Sequence, residues 1–294
     1  MTVLPDKTLR DAMQLNAVVP LNMDTWPYVH NTMVPHKTVN WYGTDHETLY
    51  KRNLRNLPDD WMYRDEKNNF TYTFNKQGLR MNKDVEEVQG DYIMYAGTSY
   101  TMGLGVAEEN RFSNLVNKQT GIDFINVGGP TFTIKCNAMS FFNFLKTAHR
   151  LPKVFVLEYH KADCYTFYTS NNYVHIHSSF KKLKHLPEGK EYENFVEAYK
   201  LINETDYFLN EAKMYRGMIK ATCERLGIKF LELSFVREEE FVQELNIPYI
   251  DIATHQDDIN YALGRDVRVR LEGYYSHPGV GFHKEAANIV LKGL

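Results

Sequence analysis

From Asp91 onward, short apolar runs alternate with longer segments of helical period, the pattern of a parallel sheet with crossover helices. Asp91–Ala96 reads as a first strand, Ile122–Val127 as a second and Val154–Tyr159 as a third. Lys229–Leu233 follows as a fourth and Tyr249–Ile252 as a short fifth. The spacing between them predicts helices over Ala107–Lys118, Ile134–Arg150, Tyr192–Leu226 (in two pieces) and Glu238–Leu245, with a last one over Gly281–Leu291. Gly121 and Gly227 stand where two of these helices should stop, and Pro152 ends another. Val154–Tyr159 is the kind of apolar run that a sheet buries on both faces. His160 to Gly189 reads as a long loop. The expected fold class is α/β, a doubly wound three-layer α/β/α sandwich with five parallel strands. Its ligands should gather at the carboxyl ends of the strands.

Ahead of this region the pattern is less regular. Pro5, Pro20, Pro27 and Pro35 break any long element in residues 1–40. Asp45–Leu54 predicts a short helix. Trp61–Tyr63 and Phe70–Phe74 read as two strands joined by the polar stretch Arg64–Asn69. The expected division is an N-terminal arm and small extension over 1–90, then an α/β domain over 91–294. Such an arm suits packing on its own domain or wrapping a neighbour, in a homo-oligomer or a larger assembly.

Composition narrows the function classes. A net charge of -3 argues against a nucleic-acid grip. The three cysteines, Cys136, Cys164 and Cys223, match neither a disulfide framework nor a zinc knuckle. No window approaches the roughly 18 apolar residues of a membrane span. The first residues show no basic stretch followed by an apolar run. The expected setting is therefore cytoplasmic or virion-associated, without a membrane partner.

The most informative stretch is Tyr95-Ala-Gly-Thr-Ser-Tyr-Thr-Met-Gly-Leu-Gly-Val106. An apolar strand runs into Gly97-Thr98-Ser99, then a glycine-punctuated turn, then a helix. This places a serine hydroxyl at the carboxyl edge of the sheet. A serine hydroxyl is a weak nucleophile until a base takes its proton. The best candidate base is His277, in Tyr275-Ser-His-Pro-Gly-Val-Gly-Phe-His283, just before the last helix. His283 reads as packing or support.

These segments resemble the SGNH (GDSL-type) hydrolases. Gly-x-Ser-x-Thr-x-Gly-x-Gly-Val after an apolar strand is similar to their first block, and His-Pro-Gly before the C-terminal helix to their last. Asn75-Lys-Gln-Gly-Leu-Arg80 resembles the element that precedes the core in many of them. Ile125-Asn-Val-Gly-Gly129 resembles the second block, which supplies an oxyanion donor. The resemblance spans roughly residues 70–294. It implies an SGNH-type, flavodoxin-like sandwich in which Ser99 is nucleophile and His277 is base. It also implies an oxyanion site from the Ser99 N–H, Gly128 or Gly129 and His160, the residue nearest the usual third-block Asn. The implied substrates are small acyl esters, often acetyl groups on sugars, with no cofactor.

The sequence departs from the family at several positions. Thr98 replaces the usual Asp beside the serine, and Thr131 falls where the oxyanion Gly is expected. The acid three residues before the histidine is replaced by Tyr274. Asp251, Asp266 and Glu272 are the carboxylates left to orient His277; otherwise Ser99 and His277 act as a dyad. Loss of such an acid costs about 10⁴ in turnover in the best-studied triad. These departures support a second expectation, a catalytically degenerate module that binds a glycan or serves as a structural, possibly virion, subunit. The Asn- and Tyr-rich style resembles phage-encoded proteins similar to this family.

Other motifs carry less. Tyr100, Tyr165 and Tyr274 are candidate substrate contacts, and Phe167, Tyr168 and Tyr173 add aromatic surface near Tyr165. His175 and His177 would share one face of a strand, but two histidines without a third ligand hold zinc poorly, so no metal is expected. Lys181, Lys182, Lys184 and His185 read as a solvated face. Gly103-Leu-Gly105 lacks the third glycine and the later acid of a dinucleotide loop.

Overall fold

The computed structural model describes residues 19–20, 38–40, 54–55, 70–129, 132–148, 150–159, 165–168, 172–176, 201–202, 206–235, 240–250 and 277–294. In chain order the strands are β1 (Val19–Pro20), β2 (Thr38–Asn40), β3 (Thr71–Thr73), β4 (Tyr92–Ala96), β5 (Asp123–Asn126), β6 (Val154–Tyr159), β7 (Tyr165–Tyr168), β8 (Asn172–Ile176) and β9 (Lys229–Ser234). The α-helices are α1 (Ser99–Met102), α2 (Phe112–Thr120), α3 (Ile134–Thr147), α4 (Tyr207–Leu226), α5 (Glu240–Glu244) and α6 (Val280–Gly293).

The central sheet is parallel, in the order β5-β4-β6-β9. Side chains alternate across it and meet a helix pair on each face. On one face Tyr92 packs against Phe144 of α3, and Phe155 lies 4.3 Å from Phe141 between ring centres. On the other Tyr95 stands edge-on to Phe112 of α2, at 5.2 Å and 88°. α3 packs with α4, and α2 with α6, which completes the three layers. β4 and β6 are buried along their whole length. Their continuous apolar runs are what a doubly covered strand requires.

The fifth strand of the expectation is reduced to one bridge, between Ser234 and Tyr249. The Ser234 N–H donates to the Pro248 carbonyl, and the Ile250 N–H to the Ser234 carbonyl. Pro248 has no N–H with which to carry the ladder backward. The sheet thus has four strands rather than five among the described residues.

Three further expectations change. The loop placed after the third strand contains an antiparallel hairpin, β7–β8, with Tyr165 opposite Ile176 and Tyr168 opposite Tyr173. Its strands are aromatic and β-branched, and the polar Thr169-Ser-Asn171 lies between them. Secondly, part of the arm is not irregular: β1 pairs with β8, and β2 with β3. The 70–74 strand therefore pairs with residues 38–40; the expected strand at 61–63 lies outside the described residues. Finally, the first crossover helix starts at Phe112 rather than Ala107, after a 3₁₀ turn over Glu108–Asn110.

Candidate active site

β4 ends at Ala96, and the chain turns through Gly97 and Thr98 into α1, a single helical turn that begins with Ser99. Thr98 caps it, its side-chain oxygen accepting the Tyr100 N–H at 3.2 Å. Gly103 ends it at φ 81°, a left-handed conformation that favours glycine. Ser99 is partly exposed. No acceptor among the described residues takes its N–H, as expected for the first residue of a helical turn.

Beneath this turn lies Glu158, the fifth residue of β6, which is 1% exposed. Its Oε2 accepts three donors: the Thr98 N–H at 2.5 Å, the Thr98 hydroxyl at 2.9 Å and the Thr101 hydroxyl at 3.0 Å. Its Oε1 is buried and has no hydrogen-bond partner among the described residues. Burial pushes the carboxyl up to about 6, against the downward pull of the Thr98 and Thr101 bonds. Gly97 fits over this carboxylate because it has no side chain. A Cβ there would collide with Glu158 Oε2 and Thr101 Oγ1 and stand 2.7 Å from Glu158 Cβ.

The far side of the turn is held by Arg80, from the Asn75–Arg80 element. Asn75 folds that element on itself, its Oδ1 accepting the N–H groups of Gln77 and Leu79. The Arg80 guanidinium lies 3.9 Å from the centre of the Tyr72 ring and donates to the carbonyls of Met102, Gly103 and Val106. The Tyr72 hydroxyl accepts the Gly105 N–H at 2.7 Å. Arg111 donates to the Arg80 and Met102 carbonyls and pairs with Glu108 at 2.5 Å. Burial lowers the pKa of both guanidiniums, with Glu108 opposing the shift.

His277 comes from the segment that enters α6. Its Nε2 lies 3.0 Å from the Ser99 Oγ, across 178 residues of sequence. The imidazole is partly exposed, and Tyr100 stands edge-on to it at 5.8 Å and 87°. Tyr100 is buried and also packs edge-on against Phe235. Tyr100, an expected substrate contact, thus packs against the histidine. His283 is buried one helical turn into α6, stacked on Phe112, whose N–H its Nδ1 accepts at 3.3 Å.

The expected oxyanion glycines are placed differently. Asn126 Oδ1 accepts the Gly128 N–H at 3.0 Å, and the Gly129 N–H donates to the Gly97 carbonyl at 3.2 Å. Both donors are therefore engaged within the chain. Gly128 is required by close approach, since a Cβ would stand 2.8 Å from the Met102 nitrogen. His160, Asp251, Asp266, Glu272 and Tyr274 lie outside the described residues. Tyr165 lies on β7, and its side chain is likewise outside them. No group of three His, Cys, Asp or Glu among the described residues could hold a metal ion. No helix among them is long and apolar enough to cross a membrane.

Sequence reading singled out Ser99 and His277, and the structure brings them together. It missed Glu158. The available signal was a lone carboxylate inside an otherwise apolar strand, at the strand's carboxyl end.

No family model matches the chain, and no curated protein matches it. The chain is similar to several solved structures. One is a catalytic mutant of Axe2, an acetylxylan esterase from Geobacillus stearothermophilus, at 13% identity over 70% of this chain and 94% of that one, TM-score 0.38. Another is the psychrotrophic esterase EstA from Pseudoalteromonas sp., at 10% identity over 69% and 96%, TM-score 0.38. A third is a member of the lipolytic protein G-D-S-L family from Veillonella parvula, at 13% identity over 69% and 97%, TM-score 0.32.

Proposed function

We propose that this chain is a serine ester hydrolase of the SGNH type, acting on small acyl esters, with acetyl groups on a carbohydrate as the substrate class. The observation that carries the reading is the 3.0 Å separation of Ser99 Oγ and His277 Nε2 at the carboxyl edge of a parallel sheet. That distance lies within the reach a general base needs. His277 Nε2 takes the hydroxyl proton as Ser99 Oγ attacks the acyl carbon. The imidazolium returns the proton to the departing alcohol, leaving an acyl-serine. Water, deprotonated by the same nitrogen, then releases the acid and restores Ser99. The Ser99 N–H is the oxyanion donor available at the nucleophile itself.

One observation favours the second reading, a degenerate module that binds a glycan or serves as a structural subunit. The Gly128 and Gly129 N–H groups are engaged inside the chain. Loss of one oxyanion donor costs about 10²–10³ in turnover. A single experiment separates the readings: exposure of the protein to a fluorophosphonate probe and to p-nitrophenyl acetate. The hydrolase becomes labelled and releases nitrophenol, and Ser99→Ala and His277→Ala abolish both. A folded wild-type protein that neither reacts with the probe nor turns over the ester belongs to the second reading.

A further inference from the structure

We propose that Glu158 is a positioning residue for Ser99, its ionised carboxylate setting the turn that aims the serine hydroxyl at His277. The inference rests on the hydrolase reading above and adds to it a residue that the Ser-His pair does not itself require.

The argument begins with what Glu158 costs. Burying a carboxylate away from water is unfavourable unless charge or hydrogen bonds compensate. No ion pair among the described residues compensates this one. The groups that face it are Thr98 and Thr101 of the nucleophile turn and Gly97 above, with Leu233 paired to it from β9. All are uncharged; Tyr100 lies within the turn and His277 contacts the turn at Ser99. Glu232, the neighbour in register with Leu157, is taken up by Arg216 of α4. Among the described residues, the hydrogen-bond donors to Glu158 converge on Oε2, while Oε1 has none. For the fold alone, an apolar residue matching the rest of β6 would serve better.

The donor set says what is gained. Two of the three donors belong to Thr98, which directly precedes Ser99, and the third belongs to Thr101, two residues after it. The carboxylate thus grips the turn on both sides of the nucleophile. Gly97 is shaped to the same object, since its missing Cβ leaves the space that Glu158 occupies. A negative oxygen takes three N–H and O–H donors more strongly than a neutral one does. The full grip therefore exists only while Glu158 is ionised, and acid that protonates it loosens the turn.

The test uses the full chain with Glu158→Gln and Thr101→Val, fluorophosphonate labelling, ester kinetics and thermal melts across pH. Glu158→Gln keeps the volume and removes the charge. Its labelling rate and kcat should fall roughly 10- to 100-fold, the cost of a small misplacement of reacting groups. KM should hold, and Tm at pH 8 should be at least that of the wild type, because a neutral amide is cheaper to bury. The acid limb of the wild-type rate should carry a contribution from protonation of Glu158, and Glu158→Gln should lack that contribution. Labelling of Glu158→Gln at the wild-type rate, with the same acid limb, overturns the proposal alone. An inert wild type overturns the hydrolase reading and the proposal with it. If Glu158→Gln does not fold, Thr101→Val decides. Removing a donor to the ionised form moves the acid limb to higher pH; an unmoved limb overturns the proposal.

Discussion

Arg80 donates to the Val106 carbonyl at 2.6 Å from a side chain that is 2% exposed, and so ties the 75–80 element to the far end of the nucleophile turn. Its other donors serve the Met102 and Gly103 carbonyls, and Glu108 lies 3.7 Å from its Nε. Removing the guanidinium leaves three carbonyls and a carboxylate with a lost partner. Arg80→Ala should cost about 3–5 kcal/mol, the range for breaking a buried charged contact. Arg80→Lys should recover little, because an ammonium lacks the planar fork that reaches several carbonyls at once. Urea unfolding of both variants measures this. A lysine variant of wild-type stability would show that charge, not geometry, holds the turn.

Gly97→Ala tests the close approach above Glu158. The added Cβ meets Glu158 Oε2 and Thr101 Oγ1, so either the carboxylate or the turn must move. Overpacking of this kind costs about 1–3 kcal/mol. The larger effect should be on ester turnover, since the displaced group is bonded to both sides of Ser99. A crystal structure of the variant should show the Ser99–His277 contact lengthened beyond 3.0 Å. Full turnover with an unshifted turn would remove the steric account of this glycine.

The core of the fold was legible because its elements follow local rules. The apolar run of β6 coincides with its observed span, and the periodicity over α6 matches it within a few residues. Ser99 and His277 were legible because each sits at an element end marked by glycine or proline. What was not legible depends on pairing at a distance. The fifth strand fails at Pro248, where a missing N–H counts only once Ser234 is its neighbour. Gly128 and Gly129 looked like free donors, but Asn126 and Gly97 take their N–H groups. Glu158 was absorbed into an apolar run because nothing local shows that three donors converge on it.

His283 should make the fold acid-sensitive. Its Nδ1 accepts the Phe112 N–H, so the native ring is unprotonated there. Burial, reinforced by Arg80, Arg111 and His277, pushes its pKa down to about 3. The unfolded chain then binds more protons than the native one between about pH 3 and 6.5. Stability should rise with pH through that window, by on the order of 1 kcal/mol per unit, and level off above it. Glu158 acts in the opposite sense: its raised pKa makes stability fall as pH rises from about 4.5 to 6. His283→Phe should remove the first slope and Glu158→Gln the second. Urea midpoints between pH 4 and 8 check both, and an unchanged slope in His283→Phe would assign the acid sensitivity elsewhere.

Asn126 joins the two loops that flank the candidate site. Its Nδ2 donates to the Thr101 carbonyl at 2.8 Å, and its Oδ1 accepts the Gly128 N–H at 3.0 Å. The side chain is buried, so each partner left alone forfeits its bond without water to replace it. Asn126→Ala releases both, together with a 3.4 Å bond from Nδ2 to the Ser113 hydroxyl, and should cost about 1–3 kcal/mol per unpaired group and lower kcat as α1 loosens. Asn126→Asp separates the two bonds. Its carboxylate still accepts the Gly128 N–H, but it faces the Thr101 carbonyl oxygen without a donor. Repulsion and burial should raise the pKa of the new carboxyl, since its protonated form restores a donor to that carbonyl. The stability of Asn126→Asp should accordingly fall as pH rises through that elevated pKa, whereas Asn126→Ala shows no such added dependence. Parallel stability curves for the two variants would mean that the Thr101 contact contributes nothing.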